Sequence, residues 1–387
     1  MPDPLPELPW DVARARVHEI RDELAGMRER TAWGQRDAGV GFVPTPEGLR
    51  SEALIREAGG LVSLEVQRRA AGELQAIDDE ERVALDGRTK QEMVERLHAE
   101  AAVAMSAHQA ALDEVERFMQ LPAEERDVDQ GVALVNRVRE RGEALRVVGR
   151  RIRTLQEGED EYALRRTAVI AAHTRAVLGE ARPMGPAQGQ RICWPVGNPR
   201  ARSAVHEAAE CFPTSWWRAS EVGIPLCVDA TPDRAGYSPV VSLQLENGGT
   251  QVVSLLQVSE GQPTLDRAPG YATAVHELSH RMEHVSRGRI PAAEQVFLWR
   301  RTTDLATGQR QPLEQYRQQV DEFVRPDGFA DSYVGKDYGT PGGACEVLST
   351  GIEATMGGAF GGLRGEGLAY SPDEDHRRFS IGCLVGL

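Results

Sequence analysis

The sequence predicts an α+β fold: a helical hairpin or bundle over residues 1–180, then a mixed domain over 181–387 with a small antiparallel sheet. Three observations carry this. Trp10, Trp33, Phe42, Phe118 and Tyr162 are the only aromatic residues before position 181, so the large side chains that fill a core concentrate in the second region. The first region repeats apolar residues at three- and four-residue spacing, the period of an amphipathic helix. The second contains two β-rich runs, 239–245 and 251–258, separated by Glu246-Asn247-Gly248-Gly249. Asn-Gly tolerates positive φ at both positions and marks a hairpin turn. A sheet followed by helices is an α+β arrangement.

Taken in order, residues 31–50 read as a loop that interrupts the helices. Val94, Leu97, Ala101, Ala104, His108, Leu112, Val115 and Met119 form one stripe. Beyond a break at Leu121-Pro122, Leu134, Val138, Leu145, Val148, Ile152 and Leu155 form another. Two stripes joined by a short Pro-containing connector predict an antiparallel helical hairpin, coiled-coil-like and suited to binding a protein partner. His108 then belongs to the seam. A third helix runs from about Asp160 to Leu178 and ends near Gly179, with Pro183 beyond. In the second region, 223–228 is a further short strand. A break at Pro269-Gly270 then leads into a helix.

Charge and cysteine usage narrow the function classes. The chain has 387 residues, with 45 Lys and Arg against 59 Asp and Glu, a net charge of −14. Phosphate recognition needs a basic surface, so nucleic acid is not the expected partner. A polybasic membrane anchor is excluded on the same ground. No apolar run approaches the roughly 18 residues that span a bilayer. The first residues lack the basic-then-apolar layout of a signal peptide. Cys193, Cys211, Cys227, Cys345 and Cys383 are odd in number and include no CxxC, so a disulfide framework is not expected and a cytoplasmic location is.

One segment carries chemistry: Val275-His276-Glu277-Leu278-Ser279-His280. On a helix, His276 and His280 project from one face and both imidazoles reach one ion. Glu277 lies about 100° around the helix, beside the ion, where its carboxylate takes a proton from a metal-bound water. Val275, Leu278, Met282 and Val285 form the apolar stripe that anchors this helix. His206-Glu207-Ala208-Ala209-Glu210 starts the same way but lacks the second histidine, and reads as an ordinary helix.

VHELSH on a helix after a hairpin resembles the zincin superfamily of zinc metallopeptidases. The metzincin branch is excluded, because Glu283 and Ser286 stand where that branch has Gly and His. Glu346-Val-Leu-Ser349 resembles the gluzincin element, which implies Glu346 on a downstream helix as the third zinc ligand. The wider layout includes Phe212-Pro213, Trp299 to Thr302, Tyr333 to Tyr338 and a closing helix at 373–387. It is similar to metallopeptidase domains of phage- and prophage-linked bacterial proteins. The resemblance spans roughly residues 200–387.

Glu353 and Asp337 compete with Glu346 as third ligand. His284 is too far along a straight helix, about 12 Å from His276, to close around the same ion. An oxyanion needs a further donor, for which Tyr338 is preferred over Tyr333. Gly-rich residues 357–367 read as a plain loop rather than a flap. The expected activity is zinc-dependent hydrolysis of a protein or peptide, with Glu277 as general base and substrate extended along an edge strand, 251–258. The alternative is a structural or interaction module whose zinc site is not catalytic.

Overall fold

The computed structural model describes residues 8–27, 33–37, 41–122, 125–157, 161–194, 197–221, 224–232, 235–244, 248–259, 270–286, 288–304, 306–316, 323–325, 329, 332–336, 345–357 and 373–387. The chain is mixed α+β, predominantly helical, and divides into two compact units. The first unit comprises residues 1–74, 166–365 and 371–387; the second comprises 75–165 and 366–370. No described helix is long and apolar enough to cross a membrane.

The division does not coincide with the boundary expected near residue 180. Helix α1 (Trp10–Gly26), the first part of α2 (Pro46–Ala84) and most of α5 (Glu161–Ala181) belong to the first unit. Their aliphatic faces explain why. Val17, Ile20, Leu24, Ile55, Val62, Val177 and Leu178 are buried in the same cluster as Phe212, Trp217 and Phe379. Composition registered the scarcity of aromatics in the first half, but Val, Leu and Ile fill the same core. Gly59 on α2 shows how close the packing is: a Cβ there would lie 1.7 Å from the carbonyl oxygen of Arg378. Only glycine permits that approach.

The second unit contains α3 (Lys90–Gln120) and α4 (Val128–Glu157). Glu114 pairs with Arg137, while Gly131 lies under the Phe118 ring and Gly142 under His108. Partners ascend on one helix as they descend on the other, so the two form the expected antiparallel hairpin, with His108 in its seam. Thr89 and Glu92 close a reciprocal capping box at the start of α3. Met93, Val94, Leu97 and Ile152 form its small buried cluster.

Residues 31–50 are not simply a loop. They contain β1 (Gly34–Asp37), paired antiparallel with β2 (Gly41–Pro44), and the start of α2. The larger sheet also departs from expectation. β3 (Leu226–Thr231), β4 (Gly236–Gln244) and β5 (Thr250–Ser259) lie in the order β3-β5-β4. β4 and β5 form the antiparallel hairpin, but β3 runs parallel to β5, so the sheet is mixed. Consequently β5 is the central strand, not the edge strand proposed for substrate. The hairpin turn at 245–247 lies outside the described residues.

Arg281 ties this sheet to the helix that follows. Its guanidinium is buried and donates to Ser254 Oγ at 2.6 Å, Tyr237 Oη at 3.3 Å and the Ile224 carbonyl at 2.8 Å. One side chain thereby holds β5, β4 and the approach to β3 against α8 (Tyr271–Val285).

Candidate metal centre

Helix α8 begins at Gly270, whose φ of 84° is left-handed. A Cβ there would lie 2.5 Å from Val258 Cγ1, so glycine lets the helix start hard against the end of β5. Val275, Leu278 and Met282 are fully buried on the far side of α8. His276, Glu277, His280 and Glu283 line a cleft of about 1030 Å³ on the near side. The amphipathic pattern of the sequence thus fixes which face of the motif meets solvent.

Across the cleft stands Glu346, the N-cap residue of α10 (Val347–Ile352), preceding this short helix rather than within it. Its Oε2 lies 3.2 Å from His276 Nε2 and 3.4 Å from His280 Nε2. Donors arranged tetrahedrally around zinc at 2.0–2.1 Å are separated by about 3.3–3.4 Å, so these spacings fit one ion. Among the described residues, His276, His280 and Glu346 are the set of acidic, His or Cys side chains close enough to share a metal. The sequence-derived ligand set is therefore brought together in space.

Each donor is oriented by a further contact. His276 Nδ1 lies 2.9 Å from Glu353 Oε2, and His280 Nδ1 lies 3.0 Å from Glu283 Oε2. A carboxylate at Nδ1 fixes the tautomer that leaves Nε2 for a metal. Glu353, a rival ligand in the sequence, thus sits behind His276 instead. Tyr333 donates to Glu346 Oε1 at 2.9 Å, and Lys336 donates to Tyr333 Oη at 3.3 Å. Ser349 donates to Oε2 at 3.0 Å. These contacts hold the carboxylate's rotation, with Oε2 toward the histidines.

The electrostatics follow from burial against charge pairing. Burial opposes a charge on His276, but the Glu346 and Glu353 carboxylates outweigh it and push the imidazole up to about 10. Burial likewise opposes charge on His280, yet Glu283 and Glu346 raise it well above its ordinary value. For Glu346, burial raises the pKa, but the two imidazoles prevail and hold it well below the usual carboxylate range. Burial raises Glu277, partly offset by His276 and His280.

Glu277 is 6% exposed, lines the cleft, and has no hydrogen-bond partner among the described residues. Tyr338 and Asp337, candidates for oxyanion donor and rival ligand, lie outside the described residues, as do 358–367 of the Gly-rich segment. His284 lines the cleft without joining the ligand set. Arg300 and Arg301, on α9 (Arg289–Arg301), stay away from Glu346 in ion pairs with Glu52, Asp373 and Asp375.

Two contributors escaped sequence reasoning. Glu283 was legible in principle, since it lies three residues after His280 on the same helix face. Glu294 on α9 was not. It is fully buried and accepts from the Leu348 N–H at 2.8 Å, a contact between distant segments that no local pattern announces.

No protein-family profile, curated protein or solved structure matches this chain.

Proposed function

We propose that this chain is a zinc-dependent endopeptidase of gluzincin-like chemistry. Two imidazole nitrogens and one carboxylate form a donor set suited to zinc, and their mutual spacings fit a single tetrahedral ion. Bound zinc would lower the pKa of water towards about 7 and polarise a scissile carbonyl.

The observation that carries the reading is Glu277. Its carboxylate reaches the cleft beside the ligands, is nearly enclosed, and is engaged by no described hydrogen bond. A site that only braces a fold has no use for a base there. Glu277 takes a proton from the attacking water and delivers it to the departing amine. An extended peptide pairs with the outer edge of β4, whose residues Gly236, Tyr237 and Pro239 line the same cleft. Lys336, also in the cleft wall, supplies a donor toward a developing oxyanion, while the Tyr333 hydroxyl stays on Glu346. The substrate class is protein or peptide, and the setting is cytoplasmic and phage-related.

The test compares wild type with Glu277→Gln on peptides, candidate partner proteins and the chain itself. Proteolysis should fall by about 10²–10⁴-fold, with bound metal and fold unchanged. Cleavage by wild type that persists undiminished in Glu277→Gln would remove this residue from the chemistry. A change silent in every assay, with no wild-type cleavage of any substrate, would favour the non-catalytic metal site.

A further inference from the structure

The α3–α4 hairpin carries several large apolar side chains on its surface. Met105, Leu112 and Met119 recur every seventh residue along α3 and are exposed, Met119 at 56%, so Leu112 and Met119 lie outside the seam in which the sequence pattern placed them. Val128, Val132 and Val135 follow the four-three spacing of a coiled-coil seam on α4, and Val132 is 55% exposed.

Helical geometry puts the two stripes on the same face. At 100° per residue, Met105, Leu112 and Met119 lie roughly 60–100° from Ala104 in the hairpin seam. Val128, Val132 and Val135 lie roughly 100–160° from Leu134 in the same rotational sense. In antiparallel helices equal rotations from the seam lead to the same side. The two stripes therefore make one patch, densest toward the connector between the helices. The charges around it are divided. α3 carries an acidic excess and α4 a basic one. Asp113 borders the patch on α3 and Arg139 borders it on α4, and neither is in an ion pair among the described residues.

We propose that this face pairs with the same face of a second copy of the chain, giving a twofold four-helix bundle. An axis along the hairpin lays the two patches on each other, connector end on connector end, and sets α3 of each copy against α4 of the other. Acidic helix then meets basic helix twice, and Asp113 of one copy comes within side-chain reach of Arg139 of the other. A twofold perpendicular to the hairpin would set α3 on α3 and separate the patches. The charge division thus favours a second copy as occupant, in one orientation.

Sedimentation velocity on the full chain, over a range of concentrations, tests this. The chain should dimerise. Val132→Glu or Leu112→Glu should weaken the dimer by about 100-fold or more, because a carboxylate would be buried unpaired in the seam. Both positions are exposed in the single chain, so circular dichroism and thermal unfolding of the dilute protein should hardly change. Asp113→Arg and Arg139→Asp should each weaken pairing, and the double exchange should restore it. A chain that remains monomeric throughout overturns the proposal, even if the face retains another protein or lipid vesicles. So does a dimer indifferent to both glutamate substitutions.

Discussion

Glu294 on α9 accepts a hydrogen bond at 2.8 Å from the backbone N–H of Leu348, two residues beyond Glu346. The bond replaces a cap that α10 lacks. Glu346 occupies the N-cap position but makes no capping bond, because its carboxylate faces His276 and His280. The first N–H groups of a helix need acceptors, and Glu294 supplies one from a neighbouring helix. Burial, reinforced by the nearby Glu283 charge, raises Glu294 well above the ordinary carboxyl range.

Glu294 should accordingly act as a positioning residue for Glu346. Glu294→Ala should weaken metal affinity about 10–100-fold, the usual cost of losing a supporting contact behind a ligand. Glu294→Gln retains an oxygen acceptor and should recover most of that loss. Chelator competition on both variants measures this, with thermal unfolding of the metal-free proteins as the comparison. Equal affinity in the two variants would mean that the bond does not hold Glu346.

The ligands themselves should separate cleanly. His276→Ala and Glu346→Ala each leave two protein donors, too few to hold zinc tightly. Elemental analysis after dialysis should find the metal lost from both. Glu353→Ala removes only the carboxylate at His276 Nδ1 and should cost about 10–100-fold in affinity. Metal retained by Glu346→Ala and lost by Glu353→Ala would exchange the roles of the two residues.

How much of this was legible in the sequence depended on the range of the contact. His276, Glu277, His280 and the apolar back of α8 share one helix, so spacing alone placed them. The α3–α4 hairpin was legible for the same reason. Glu346 came from resemblance to a motif, and the cleft set it against the histidines. Pairing of β3 with β5 rather than β4 is a choice between distant segments, which alternation cannot make. The unit boundary failed similarly: Val17 and Leu178 are ordinary helix residues until the fold puts them in one core with Trp217.

Acid should loosen the junction of α2, α9 and α11 (Glu374–Gly386). Asp375 receives Arg56 and Arg300, at 3.2 and 2.5 Å. Burial raises its pKa, but Arg300, Arg56 and Arg301 outweigh burial and hold it below its ordinary value. A depressed carboxyl contributes its full stability above the unfolded value, about 3.9, and loses it as pH falls through the folded value. Asp375→Asn should therefore lower the unfolding temperature near neutrality, and the gap from wild type should close below about pH 4. A gap constant with pH would show that the charge contributes nothing there.

The two units make opposite predictions for deletion. Removing residues 1–180 takes Val17, Ile20, Leu24, Ile55, Val62, Val177 and Leu178 out of the core that carries α8. Losses of about 2–5 kcal/mol for each of these buried aliphatics together match or exceed a stability of about 5–15 kcal/mol. A fragment starting at residue 181 should therefore be insoluble or fail to keep metal. Replacing only 75–165 leaves that core intact. Glu73, at one cut end, and His173, seven residues inside the other, lie 2.8 Å apart, so α2 and α5 run side by side there and a Gly-Ser linker can rejoin them. The spliced chain should fold and bind one metal ion per chain, read by elemental analysis and thermal unfolding. A soluble, metal-loaded 181–387 fragment would show that the N-terminal helices are dispensable to the site, and that the composition boundary was the better guide.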